Sequence, residues 1–415
     1  MEVSGKDRAI LRRLAGRVAE IAALPVHREK TAEWRRLNGL RKGRPLVWIN
    51  EVPWHEMDVD GELELQSSDA FCRQTEQTLR RTIYQWEHMP GDAVVEARFH
   101  APLALHDTGF GIEEEARIIR QDERGGIVSR EFHPQIREEK DLEKIRTPVI
   151  THHAEASERT YETLADLFGD LLVVEMCGIV HRWFAPWDEL VRWWGVQEAL
   201  TDLALRPELV HRAMDRLVRA YLARLDQWEA LNVLSVTEGN YRVGSGGLGY
   251  TDELPRPDFD PQRVRSSDQW GCATAQIFSE VSPEMHEAFA LRYERRWLER
   301  FGLNYYGCCE PLHLKLDVLK RVPNLRKVSM SPWADLEQAA EKAGDRYVLS
   351  HKPNPAVFAV DPWNPGQARR DLREALEKTR GCVVEVIMKD ISTVRNEPQR
   401  LWAWERIAME EVGRF

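Results

Sequence analysis

Apolar runs of four to eight residues alternate along the chain with longer segments of helical periodicity, the pattern of parallel βα units. Eight such runs stand out, at 46–50, 93–99, 171–176, 231–237, 303–306, 325–330, 347–350 and 382–388. Between them, 187–204, 207–231, 283–301, 335–343 and 365–379 read as helices, several opening on a Ser, Asp or Pro suited to a helix N-terminus. Eight strands with helices between them, each strand apolar enough to be buried on both faces, predict an α/β chain folded as a (β/α)8 TIM barrel. The amphipathic start reads as an N-terminal helical extension, residues 1–43, ahead of a barrel over residues 44–415. Two segments break the alternation. Residues 122–150 read as a short hairpin around GGIVSREFHPQI followed by a helix, inserted after the second unit. Residues 241–271 are polar and rich in Gly, Pro and Asp, and so long a stretch without periodicity reads as a lid, a binding loop or a disordered segment.

Composition narrows the function. With 58 basic and 68 acidic residues the formal charge is −10, and no Lys/Arg run is interleaved with aromatics as a nucleic-acid groove requires. No apolar run reaches the ~18 to 20 residues of a membrane span, and the N-terminus lacks a signal-peptide core. Six cysteines over 415 residues, two of them adjacent, do not make a secreted disulfide framework. A cytoplasmic protein with reduced thiols, no membrane contact and a small-molecule substrate is the expectation. Fifteen tryptophans, many near expected strand ends, fill a core or wall a water-excluding pocket.

A β/α barrel keeps its chemistry at the C-terminal strand ends, so polar residues just after each apolar run are the candidates. Glu238, His351, Lys352, Asp390 and Tyr306 are the expected catalytic groups, and Glu51, Trp54, Glu175, His181, Asn240, Tyr241, Trp333 and Asn354 the expected substrate contacts. The stretch LNYYGCCE, 303–310, carries the sharpest signal: two thiols and a carboxylate at one strand end are a ligand set that Zn²⁺ accepts. If the strand stays regular, Tyr306, Cys308 and Glu310 share one face. Cys308, Cys309 and Glu310 are therefore the expected metal ligands; the alternative is a small apolar core thiol with Glu310 paired to a lysine. The glycine-rich TEGNYRVGSGGLGYTDELP lacks a G-x-G-x-x-G frame and a Walker-type lysine, so it reads as a lid hinged at Glu238 or as a tight structural turn, and not as a nucleotide loop.

Several segments in order carry a resemblance: GRPLVWINEVPW at the first strand, FHPQIREEKDLEKIRTP in the insertion, FSEVSPEMHEAFALRY, NYYGCCEPL, VSMSPWADLEQAAE and YVLSHKPNPAVF. Through them, over roughly residues 30–410, the chain resembles the superfamily that joins uroporphyrinogen decarboxylase, zinc-dependent corrinoid methyltransferases and the catalytic half of cobalamin-independent methionine synthase. The resemblance implies a TIM barrel. It departs from the decarboxylases, which have an arginine-rich segment where this chain has Ile49 to Trp54, and an aspartate where it has Ala101. It departs from the zinc methyltransferases too: Tyr305 or Tyr306 stands where they place a ligand histidine, and Lys389 and Asp390 near their distal cysteine. The resemblance implies a methyltransferase moving a methyl group between a small substrate and a thiol or corrinoid acceptor, with zinc at Cys308, Cys309 or Glu310. Any corrinoid would arrive on a partner protein, since no Asp-x-His-x-x-Gly segment is present. The alternatives are a metal-independent lyase or decarboxylase that holds a small carboxylated substrate with Lys352, Lys389 and Arg242, and a non-catalytic ligand-binding barrel.

Overall fold

The computed structural model describes residues 3–120 and 128–415. Its strands are β1 (Leu46–Ile49), β2 (Arg98–Pro102), β3 (Leu105–Asp107), β4 (Ala116–Arg120), β5 (Val128–Phe132), β6 (Ile150–His152), β7 (Val173–Cys177), β8 (Trp270–Ala273), β9 (Leu303–Tyr306), β10 (Leu325–Met330), β11 (Val348–His351) and β12 (Val383–Met388). Six of them form one parallel sheet in the order β1-β12-β11-β10-β9-β8. Parallel strands need crossovers, and helices supply them, for example Leu336–Ala343 between β10 and β11 and Pro365–Lys378 between β11 and β12.

Both faces of this sheet are covered, which is why its strands read as apolar runs. Val384, Val386 and Met388 of β12 join the large cluster that includes the surrounding helices, while Val383 and Ile387 turn to the opposite side with Leu46, Val348 and Trp34. Trp34 comes from helix Val26–Asn38, and helix Gly5–Ala22 packs on Ala70–His88 and Ala154–Phe168. The first 43 residues thus contribute side chains to a core shared with the sheet and to one shared with β2 and β7.

The sheet is not a closed ring. β2 and β7 form a separate parallel pair, and among the described residues no ladder joins them to β1 or β8. The expected eight-stranded barrel is present as a mixed α/β fold with a six-stranded parallel sheet. Three details of the strand pattern differ. The run at 231–237 makes only an isolated bridge, Ile179 to Leu234, and the strand beside β9 is instead Trp270–Ala273, at the end of the supposed loop. All four of its residues are buried, so no polar alternation marks WGCA. The second strand begins at Arg98, because Val94 and Val95 of the expected run pack as loop residues into two different clusters. The expected helix at 187–204 is broken at Gly195, whose φ of 87° interrupts it.

The glycine-rich segment is not a lid. Residues 243–250 are buried throughout, threaded along the face of the sheet away from the large helical cluster. A Cβ at Gly247 would lie 2.3 Å from the Trp34 ring and one at Gly244 2.4 Å from the Tyr305 ring. Glycine is needed because side chains from helix and sheet already fill the space. A hairpin is present, but its first strand, β4, precedes the insertion expected at 122–150 and pairs with β5 inside it; residues 121–127 lie outside the described residues. No helix among the described residues is long and apolar enough to cross a membrane.

Candidate active site at the strand ends

The C-terminal end of β9 is shaped by Gly307. Its φ of 96° ends the strand, and a Cβ there would sit 2.3 Å from Leu312. The regular alternation expected for Tyr306, Cys308 and Glu310 therefore fails at this residue. The Cys308 peptide is then held from both sides: its N–H donates to Glu310 Oε2 at 2.8 Å, and its carbonyl accepts from Ser329 Oγ at 2.7 Å. Glu310, fully buried, uses its other oxygen to accept from Thr274 Oγ1 at 2.9 Å and from the Ala275 N–H at 3.2 Å. Both oxygens of Glu310 are thus occupied in tying the ends of β8 and β9 together.

The thiols meet charges from β12. Cys308 Sγ lies 3.4 Å from Cys309 Sγ and 3.3 Å from Lys389 Nζ, and Lys389 Nζ lies 2.9 Å from Asp390 Oδ2. Cys309 Sγ is 3.8 Å from the same carboxylate oxygen. The Cys309 thiol donating to Cys308, with the Lys389 ammonium beside it, holds Cys308 below the usual thiol range although burial opposes this. Cys309, as that donor and itself partly desolvated, is pushed up. Burial would lower the Lys389 pKa, but the negative charge at Cys308 and Asp390 raises it. The ammonium and the neighbouring S–H thus both favour the thiolate form of Cys308.

A second buried chain of polar groups approaches from below. Lys352 Nζ donates to Tyr305 OH and to the Ser350 carbonyl, both at 2.9 Å. Ser350 Oγ donates to Glu385 Oε1 at 2.6 Å, and Glu385 Oε2 pairs with Lys327 Nζ at 2.8 Å. Burial brings Lys352 down to about 7, so it exchanges protons near neutrality. Burial raises Glu385, but Lys327 and Lys352 outweigh it and keep the carboxylate ionised. Lys327 and Glu385 escaped the sequence reading, although a lysine and a glutamate inside the apolar runs LRKVSM and VVEVIM were a usable signal.

The other expected residues divide among several places. Glu51 joins the thiol site indirectly: its carboxylate accepts from the Asp390 N–H at 3.2 Å and from Arg242 at 2.9 Å, and Arg242 also donates to Asn50. His181 accepts from the Gly244 N–H at 2.9 Å through Nε2, so its Nδ1 donates to the Trp270 carbonyl, also at 2.9 Å. Burial lowers it to about 4, a neutral ring that pins the glycine-rich segment, with the Tyr241 ring 6.1 Å away. Tyr306 turns to the helical side of the sheet, away from the thiols. Its hydroxyl donates to Glu294 at 2.6 Å and sits 2.6 Å from His286 Nε2. His351, which burial takes to about 3, lines a cavity of 530 Å³ together with Lys352, Trp333 and Asn354. Glu238 and Glu175 both pair with Arg98, at 2.8 and 2.9 Å, beside a cavity of 620 Å³ to which Asn240 contributes. No hydrogen bond among the described residues joins that cluster to the thiols. Trp54 stacks edge-on against Tyr84, 5.9 Å away, in another region.

The expected metal set is not assembled. Among the described residues no three His, Cys, Asp or Glu side chains gather to hold a metal ion, and Glu310 is turned from the thiols to the backbone. Two thiols and a carboxylate 3.8 Å from one of them are not gathered as the three protein ligands that a catalytic zinc takes.

No family model matches the chain, and no curated protein matches it. Among solved structures, a methyltransferase from Methanosarcina mazei superposes with a TM-score of 0.51 over 92% of this chain and 98% of its own, at 12% identity. At that identity the two share a fold.

Proposed function

We propose that the chain is a methyltransferase that places a methyl group on a small thiol acceptor, with the Cys308 thiolate as general base. The observation that carries this reading is the Lys389 ammonium 3.3 Å from the buried Cys308 sulfur at the C-terminal strand ends. The likeness in fold to a methyltransferase supports the reaction class at a coarse level. An acceptor thiol entering beside Cys309 gives its proton to Cys308 and attacks the methyl carbon, and the bonding electron pair leaves with the donor. Lys389 remains charge-balanced after Cys308 is protonated, because Asp390 stays 2.9 Å away. The methyl donor in this reading is a corrinoid on a separate protein. The carboxylated-substrate alternative loses one of its anion holders, since Arg242 is engaged by Glu51 and Asn50.

The test uses methylcobalamin as donor with a panel of small thiols, following loss of the methyl–cobalt absorbance and formation of the thioether by mass. Thiol-dependent demethylation is expected. Cys308→Ser should slow it by about 10² to 10⁴, the span of a lost general base. Turnover absent with every thiol, or unchanged in Cys308→Ser, overturns the proposal.

A further inference from the structure

Two sulfurs side by side are incomplete for zinc, yet complete for another class of ligand. Cys308 and Cys309 are both free thiols, 3.4 Å apart. Consecutive Cα atoms sit about 3.8 Å apart across an ordinary peptide, below the roughly 4.4 Å at which disulfides begin to close without strain. Direct oxidation to a disulfide is therefore disfavoured, while a third atom bridging the sulfurs relieves the constraint. Soft thiolates select soft, thiophilic centres. A trivalent metalloid that keeps one carbon substituent asks for two thiolates and no further protein ligand.

We propose that Cys308 and Cys309 form a bidentate capture site for singly carbon-substituted trivalent arsenicals. The pair is held ready for such a bite: Glu310 takes the Cys308 N–H and Ser329 donates to its carbonyl, both within 2.8 Å, and Gly307 sets the turn. Cys309 is exposed and Cys308 buried, so the ligand enters from the Cys309 side and its organic group stays toward solvent. For an arsenoxide, R–As=O, the Cys308 thiolate, the Cys309 thiol and one proton from solvent give R–As(S)₂ and water. Two As–S bonds form, the As–O bond breaks, oxygen leaves as water, and arsenic stays trivalent. The adduct is neutral, and Lys389 keeps a counter-ion in Asp390. The capture chemistry does not require the methyl-transfer reading, and it is read by binding alone.

The test titrates the full reduced chain with phenylarsine oxide and follows intact mass and free thiols. One adduct per chain with loss of two thiols is expected, reversed by stoichiometric 2,3-dimercaptopropanol and resistant to a hundredfold excess of 2-mercaptoethanol. Cys309→Ser, at an exposed position, should weaken binding at least a hundredfold with unfolding unchanged. Cys308→Ser should do the same, and Cys177→Ser and Cys382→Ser should have no effect. An adduct that 2-mercaptoethanol strips as readily from the native chain as from Cys309→Ser overturns the proposal, as does full affinity in Cys309→Ser. Arsenical binding without methyl transfer would sink only the proposed activity; methyl transfer without arsenical binding would sink only this inference.

Discussion

At the scale of single residues, the reactivity of Cys308 rests on a balance between its neighbours and its burial. The Cys309 thiol and the Lys389 ammonium lower its pKa, while desolvation, Glu310 and Asp390 act in the other direction. Lys389→Met removes one favourable partner and leaves the opposing ones in place. The pH at which Cys308 becomes a thiolate should therefore move upward, and alkylation by iodoacetamide at neutral pH should slow by about tenfold. Peptide mass spectrometry of Cys308 labelling across a pH series measures this directly. A profile identical to that of the native chain would show that Lys389 is not the partner. The candidate site was partly legible here: adjacent thiols after an apolar run pointed to the right strand end. Their orientation was not, because one glycine with positive φ separates Tyr306 from Cys308, and alternation assumes a strand that continues.

At the scale of elements, the glycine-rich segment leaves a lid and a tight structural turn both open in the sequence, and its burial excludes the lid, because polarity and lack of periodicity describe its composition and not its surroundings. Glycines that approach rings and carboxylates look like those of a flexible loop until the neighbours are known. Gly247→Ala puts a methyl group against Trp34 in a filled space, and should cost about 1–3 kcal/mol of stability with a matching loss in urea midpoint. A lid would tolerate the change. The strand Trp270–Ala273 was hidden for a related reason: burial on both faces removes the alternation by which a short strand is recognised. The longer runs, such as Val383–Met388 and Leu325–Met330, were recognisable from their length and flanks alone.

At the scale of the whole molecule, residues 1–43 share a core with the sheet through Trp34 and Leu37, and one with the β2–β7 pair through the apolar face of helix Gly5–Ala22. A chain starting at Pro45 should lose cooperative unfolding, and Trp34→Ala alone should cost about 3–5 kcal/mol, read by thermal or urea denaturation. Cooperative unfolding retained in the shortened chain would show that the helices are an appendage. The sequence by itself determined the α/β class, most strands of the parallel sheet and the strand end where thiols gather, since these follow from periodicity and spacing. Only the tertiary structure decided that the sheet stays open, that the glycine-rich segment is packed inside, that Glu310 holds backbone in place of a metal, and that Lys389 faces Cys308. Each of these depends on which distant side chains share a space, with Cys308 and Lys389 separated by 81 positions. Local pattern cannot carry that information, because burial and charge act through distance in the folded chain.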